Sequence, residues 1–286
     1  MDNLTDIRYV KDILSKHGFT FSKALGQNFL INPTVCPKMA ELCGADGSTG
    51  VIEIGPGAGV LTNELAKRSC KVVAVELDKR LLPVLKETLS DHNNITVVND
   101  DAMKLDFVQL IKEEFPDKEV VICANLPYYI TSPILMRLLE ERLPVKAITV
   151  MVQKEAADRI CAVPGTRASG AISAAVHYYS DPELLFKVSA GSFIPAPKVD
   201  SAVIRLNVLK KPPVKAADEA LFFKVVKAAF LQRRKTISNS LSAGLSIPKS
   251  TVNKLLESAA IPISARAEQL TMEQFAAITN QVYACG

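Results

Sequence analysis

Histidine is scarce in this 286-residue chain and cysteine is scattered. The three histidines (His17, His92, His177) stand far apart, and none of the six cysteines (Cys36, Cys43, Cys70, Cys123, Cys161, Cys285) forms a CxxC pair. That spacing supplies neither the ligand set of a zinc site nor the framework of a disulfide-stapled domain, so reduced thiols filling core gaps are expected, and no metal. Long apolar runs are missing as well. No segment reaches the roughly 20 uninterrupted apolar residues of a spanning helix, and Met1-Asp2-Asn3-Leu4-Thr5-Asp6 has no basic stretch leading into an apolar one. A cytoplasmic protein with no membrane partner is the expectation. Internal repeats and low-complexity tracts are also lacking.

What is present suits a globular enzyme-sized chain. At 48% hydrophobic and 22% charged residues, it can bury one substantial core plus a smaller satellite, and it is too charged for a membrane protein. The net charge of +4 is unevenly spread: residues 1–200 carry 22 Lys+Arg against 25 Asp+Glu, whereas 201–286 carry 12 against 5. A basic C-terminal end suits a polyanionic partner, although a lysine-rich surface can equally be a solvated one.

From Gly50 onward, β-branched runs alternate with helical patterns, the sign of βαβ units and a parallel sheet. Val51–Ile54, Lys71–Val75, Ile95–Val98, Val120–Cys123 and Ala147–Val150 read as five successive strands, and Ser201–Asn207 as a sixth. Helical spacing of apolar residues covers Leu61–Arg68, Lys79–Leu89, Phe107–Phe115 and Ser132–Glu141. Asn32-Pro33 predicts a capped helix from Pro33 to about Cys43 ahead of the first strand. Lys210-Lys211-Pro212-Pro213 breaks the pattern as a linker does; beyond it Leu221–Leu231, Lys249–Ala260 and Met272–Val282 have helical periodicity, separated by Gly244, Ser246-Ile247-Pro248 and Ile261-Pro262. The expected fold class is α/β: a mostly parallel, doubly wound domain over 1–209 with an N-terminal helical extension, followed by a small all-helical domain over 215–286.

Two clusters carry chemistry. Glu53-Ile54-Gly55-Pro56-Gly57-Ala58-Gly59 ends the first strand and opens a helix, where bare backbone lets a ligand approach the carboxyl edge of the sheet. Glu76, ending the second strand, would accept from ribose hydroxyls, and Asp101, beyond the third, from an adenine amino group. A ligand-free strand-to-helix turn and a loop-capping aspartate are the plain alternatives. NAD enzymes use the same logic with GxGxxG; the GxGxG spacing here, led by an acid, suits S-adenosylmethionine better.

Asn125-Leu126-Pro127-Tyr128 follows the fourth strand at the same edge. An exocyclic adenine nitrogen is a poor nucleophile because its lone pair is delocalised into the ring. Acceptors aimed at its two hydrogens favour a pyramidal nitrogen; the Asn125 side-chain oxygen and the Leu126 carbonyl would supply both, with Pro127 fixing the backbone and offering no donor. Tyr128 would stack on the base, and Phe193, within Phe193-Ile194-Pro195-Ala196-Pro197-Lys198-Val199-Asp200-Ser201, on its opposite face. A strand-ending turn and a buried loop phenylalanine are the alternatives to weigh.

With Lys23-Ala24-Leu25-Gly26-Gln27-Asn28-Phe29-Leu30, these motifs stand in an order that closely resembles the ribosomal RNA adenine dimethylases, and the likeness spans nearly the whole chain. The resemblance implies a Rossmann-like methyltransferase domain that binds S-adenosylmethionine. It implies that Asn28 and Leu30 line the cofactor pocket with Gly55, Gly57, Glu76, Asp101 and Asn125, and that Asn125 to Tyr128 are the catalytic residues. Leu126, the full Phe193–Pro197 stretch and Gln232-Arg233-Arg234-Lys235-Thr236 look more like the small-subunit branch than the macrolide-resistance branch that methylates large-subunit RNA. The implied substrate is a pair of neighbouring adenosines in a 3′-terminal hairpin of small-subunit RNA in a pre-30S particle, methylated by a monomer. By charge, Arg233, Arg234 and Lys235 on the helical domain would contact phosphates, with a solvated helix end as the alternative. An NAD-linked oxidoreductase and a non-catalytic RNA-binding assembly factor are the competing classes.

Overall fold

The computed structural model describes residues 4, 6–19, 28–232 and 234–285. The chain divides into two compact units, Met1–Ala157 with Glu183–Val208, and Asp158–Pro182 with Leu209–Gly286.

The first unit is built on a seven-stranded sheet. Strands β2 (Gly50–Ile54), β3 (Lys71–Glu76), β4 (Ile95–Asn99), β5 (Val120–Asn125) and β6 (Ala147–Gln153) pair in parallel in the order β4-β3-β2-β5-β6. The sheet continues through β9 (Ser201–Val208), antiparallel to β6, to the edge strand β7 (Ser180–Val188). A second, two-residue ladder joins β1 (Phe29–Leu30) to β8 (Phe193–Ile194), antiparallel, with Leu30 opposite Phe193.

Every residue of β2 is buried, which is why its sequence is a continuous rather than an alternating apolar run. Val51, Val72, Val121 and Met151 pack with Met39 and Ala40 of α2 (Val35–Leu42) and with Leu61 and Leu65 of α3 (Val60–Ala66) in one core cluster. Crossovers α4 (Leu82–Thr88), α5 (Phe107–Glu114) and α6 (Thr131–Glu140) follow β3, β4 and β5, and α1 (Ile7–Lys16) and α7 (Lys154–Ile160) complete the order up to residue 160. Asp106 caps α5, its side chain accepting from the Gln109 N–H at 2.9 Å.

Several expectations shift for identifiable reasons. The stretch read as one helix from Lys79 is a 3-10 turn, Lys79–Leu81, followed by α4, because Pro83 suits only a helix's first turn. Asn32 caps a turn rather than a helix: its Oδ1 accepts from the Thr34 N–H at 3.0 Å and hydroxyl at 2.9 Å, and α2 begins only at Val35. Strand β7 escapes the periodicity reading because Asp181-Pro182 looks like punctuation; proline is tolerated there because β7 is an edge strand.

The second unit is helical: α8 (Ala171–Tyr179), α9 (Glu219–Phe230), α10 (Ile237–Leu245), α11 (Lys249–Ser258) and α12 (Met272–Cys285). Residues 158–182, read from sequence as part of the first domain, group with it. Tyr178 and Tyr179 at the end of α8 pack their rings on Phe222 and Phe223 of α9, and both hydroxyls donate to Glu219, at 3.2 and 3.0 Å. Gly244 lies inside α10 rather than between helices. A Cβ there would stand 2.5 Å from Ala228 Cβ, so the glycine is what lets α9 and α10 approach.

Candidate active site

The carboxyl ends of β2, β3, β4 and β5 open on one cleft in the first unit, with an empty volume of about 1210 Å³ including its open mouth. Its lining includes every proposed cofactor, catalytic and stacking residue: Asn28, Leu30, Gly55, Gly57, Glu76, Asp101, Asn125, Leu126, Pro127, Tyr128 and Phe193.

The glycine turn is a succession of left-handed residues, with φ of +72° at Gly55, +59° at Gly57 and +86° at Gly59. Side chains rarely adopt this backbone, and at Gly57 a Cβ would also press to 3.2 Å on the Phe29 ring. Gly55 still donates to the Val75 carbonyl at 2.9 Å, so the turn is an extension of the β2–β3 ladder rather than a free loop. Across from it, Glu76 is buried: the Asp78 N–H donates to its Oε1 at 2.7 Å and the Gly57 N–H to its Oε2 at 3.3 Å.

Burial raises the Glu76 carboxyl to about 7 against the pull of those two N–H groups, and the neighbouring Asp78 pushes it further up. Asp78 itself is paired with Arg80, whose guanidinium donates at 2.8 and 2.6 Å. Glu53, fully buried beneath the turn, is raised to about 8, first by burial, with Glu76 adding repulsion. Its Oε2 has no hydrogen-bond partner among the described residues although Glu53 lines the cleft.

Asp101 is half-exposed. Its Oδ1 accepts from the Met103 N–H at 2.9 Å, the loop-capping role weighed above, while Oδ2 lies 3.9 Å from Lys104 Nζ. The loop is held from below by a residue the sequence did not single out: Arg137 of α6 donates to the carbonyls of Ala102 and Leu105, each at 2.6 Å.

At the end of β5, Asn125 lies beside Met151 in the ladder, and the Leu126 N–H donates to the Met151 carbonyl at 3.3 Å. The Leu126 side chain is fully buried, so this residue offers its backbone rather than its side chain to the cleft. With that N–H engaged and Pro127 lacking one, the turn presents acceptors with few competing donors. The Asn125 side chain makes no hydrogen bond among the described residues. Tyr128 is half-buried and shares a hydrogen bond with Ser201 Oγ at 2.7 Å. Ser201 thus anchors the ring, a link that the motif ending in Ser201 contained without revealing its partner.

Phe193 sits in β8 opposite Leu30, not in a loop, and only 3% of it is exposed. It both lines the cleft and packs in the core cluster with Leu30 and Val203. Lys23 to Gln27 of the N-terminal motif and Arg233 lie outside the described residues. Arg234 and Lys235 occupy an exposed turn between α9 and α10 in the second unit, separate from the cleft-lining set.

The donor set fits S-adenosylmethionine. Its sulfonium and ammonium are cationic, and the cleft holds the acidic side chains of Glu76 and Asp101; its ribose and adenine bring polar groups, and the buried Glu53 Oε2 lacks a hydrogen-bond partner among the described residues. No group of three or more His, Cys, Asp or Glu able to hold a metal is found among the described residues, and no helix among them is long and apolar enough to cross a membrane.

The family model for "Ribosomal RNA adenine dimethylase" matches residues 18–283. The ribosomal RNA small subunit methyltransferase A of Alkaliphilus oremlandii is 48% identical over 285 residues, covering 99% of each chain. The protein of that name from Geobacillus sp. WCH70 is 49% identical over 274 residues, covering 94% of each. Among solved structures, a dimethyladenosine transferase from Plasmodium falciparum is similar with a TM-score of 0.73 at 25% identity, covering 87% of this chain and 95% of its own. A 23S rRNA methyltransferase is similar with a TM-score of 0.69 at 28% identity, covering 90% and 100%. Sequence likeness along nearly the entire chain and a cleft suited to S-adenosylmethionine, the family's methyl donor, lead to one conclusion: this chain belongs to the ribosomal RNA adenine dimethylase family.

Proposed function

We propose that the chain dimethylates N6 of two adjacent adenosines in the 3′-terminal hairpin of small-subunit ribosomal RNA, acting as a cytoplasmic monomer on a pre-30S particle. The observation that carries this reading is the convergence of Asn125–Tyr128 with the glycine turn and Glu76 in one cleft. Relatives named for the small subunit are 48 and 49% identical, against 28% for the large-subunit enzyme, which favours the small-subunit substrate.

S-adenosylmethionine supplies an electrophilic methyl group when bound. The chain's own residues position and polarise the acceptor. In the first transfer Asn125 Oδ1 and the Leu126 carbonyl accept from the two N6 hydrogens, and in the second one of them accepts from the hydrogen that remains, localising the nitrogen lone pair for in-line attack, while the Tyr128 ring, steadied by Ser201, holds the plane of the everted base. Asn125 is not basic at neutral pH; the methylated amine, cationic as formed, loses its proton to solvent. Phe193, buried in the cleft wall, backs the pocket on the far side of the base, and Arg233, Arg234 and Lys235 hold phosphates.

Mass-spectrometric mapping of N6,N6-dimethyladenosine in both ribosomal subunits of cells lacking the protein tests this reading. Loss of the paired modification from the small-subunit hairpin alone is expected. An unchanged small subunit refutes it.

A further inference from the structure

The mechanism leaves Tyr129 unused, although it lines the same cleft as Tyr128. The two are consecutive in the 3-10 turn Tyr128–Ile130, where successive side chains point about 120° apart. Tyr128 is turned inward onto Ser201; Tyr129 is 57% exposed and has no hydrogen-bond or ring partner among the described residues. Leu77 and Met103 are also exposed apolar residues lining the cleft, but they flank Glu76 and Asp101, on the side that suits the cofactor's adenosine. Tyr129 alone of the three adjoins the Asn125–Tyr128 acceptors.

An everted base leaves its neighbour in the strand with one face unstacked, and an unpartnered aromatic ring beside the entry point is the surface that replaces the lost stack. We propose that Tyr129 is a second stacking platform, which takes the base flanking the everted adenosine. This rests on the proposed function above. It gives an RNA with two adjacent adenosines a structural use for whichever of them is not reacting. Because the platform acts on RNA binding rather than on the reacting nitrogen, it is a positioning residue, and its loss falls on KM while kcat is retained.

Methyl transfer is measured with the full chain on small subunits reconstituted with RNA bearing either adenosine or an abasic site next to the target. Tyr129→Ala is expected to raise KM about 10- to 100-fold on the adenosine substrate with kcat and cofactor affinity unchanged, and Tyr129→Phe to behave as wild type. The abasic substrate is expected to cost wild type a similar factor and Tyr129→Ala almost nothing more, the non-additivity of a direct contact. Full additivity, or an unchanged KM in Tyr129→Ala, overturns the platform while leaving the enzyme's function intact. Failure of wild type to label the unmodified subunit overturns the proposed function and the platform with it.

Discussion

Cofactor affinity should follow the ionisation of Glu76. The carboxyl is buried at the end of β3 and raised to about 7, first by burial, although the Asp78 and Gly57 N–H groups favour its charged form. A carboxylate accepts from both ribose hydroxyls; the neutral acid carries a proton of its own and loses one acceptor position. In the ribose-binding role proposed for Glu76, binding selects the ionised form, so affinity should rise as pH rises towards 7 and level off above it. With a single proton linked, Kd at pH 5.5 should be about thirtyfold weaker than at the alkaline plateau, from 1.5 units of titration below pKa 7. Isothermal titration calorimetry of S-adenosylmethionine from pH 5.5 to 8.5, in buffers of differing ionisation enthalpy, reads both the affinity and the proton released. Glu76→Gln should bind weakly and lose the slope between pH 5.5 and 7. A wild-type Kd that is flat between pH 5.5 and 8 would refute the reasoning.

Asn125→Ala should keep S-adenosylmethionine binding within a few-fold but lower single-turnover methylation on the order of 100-fold, for loss of one transition-state acceptor worth about 3 kcal/mol; near-normal turnover removes Asn125 from the chemistry. Arg234→Ala combined with Lys235→Ala should weaken RNA association and reduce the slope of log K against log salt by about two, and an unchanged slope would discard the phosphate contacts. Glu53 is raised to about 8 in the folded chain from an ordinary 4.5. The stability gained by burying it neutral is complete below 4.5 and is lost as pH climbs through 8, at up to about 1.4 kcal/mol per pH unit. Thermal unfolding of wild type should therefore fall relative to Glu53→Gln between pH 6 and 9, and parallel curves would show that Glu53 is not buried as a neutral acid.

Much of this fold was legible in one dimension. Four of the five parallel strands were readable because burial on both faces makes each a short apolar run, and β4, a partly exposed edge strand, by its β-branched residues; the glycine turn and Glu76 were readable because they stand at strand ends on the sheet's carboxyl edge. Edge strand β7 was not, since its burial is uneven and Pro182 mimics a break. The grouping of residues 158–182 with the helical unit was equally hidden: it rests on Tyr178 and Tyr179 meeting Phe222 and Phe223 some forty residues on.

By itself, then, the sequence determined which residue types end each strand, and hence the class of ligand and the candidate site residues, because those features are local and obey the backbone's own periodicity. Only the tertiary structure decided what stands beside what. Leu30 pairs with Phe193, Tyr128 bonds Ser201, and Arg137 holds the loop of Asp101, contacts across 163, 73 and 35 or 32 residues. Such partners are chosen by packing and hydrogen-bond satisfaction in three dimensions, for which spacing along the chain carries no signal.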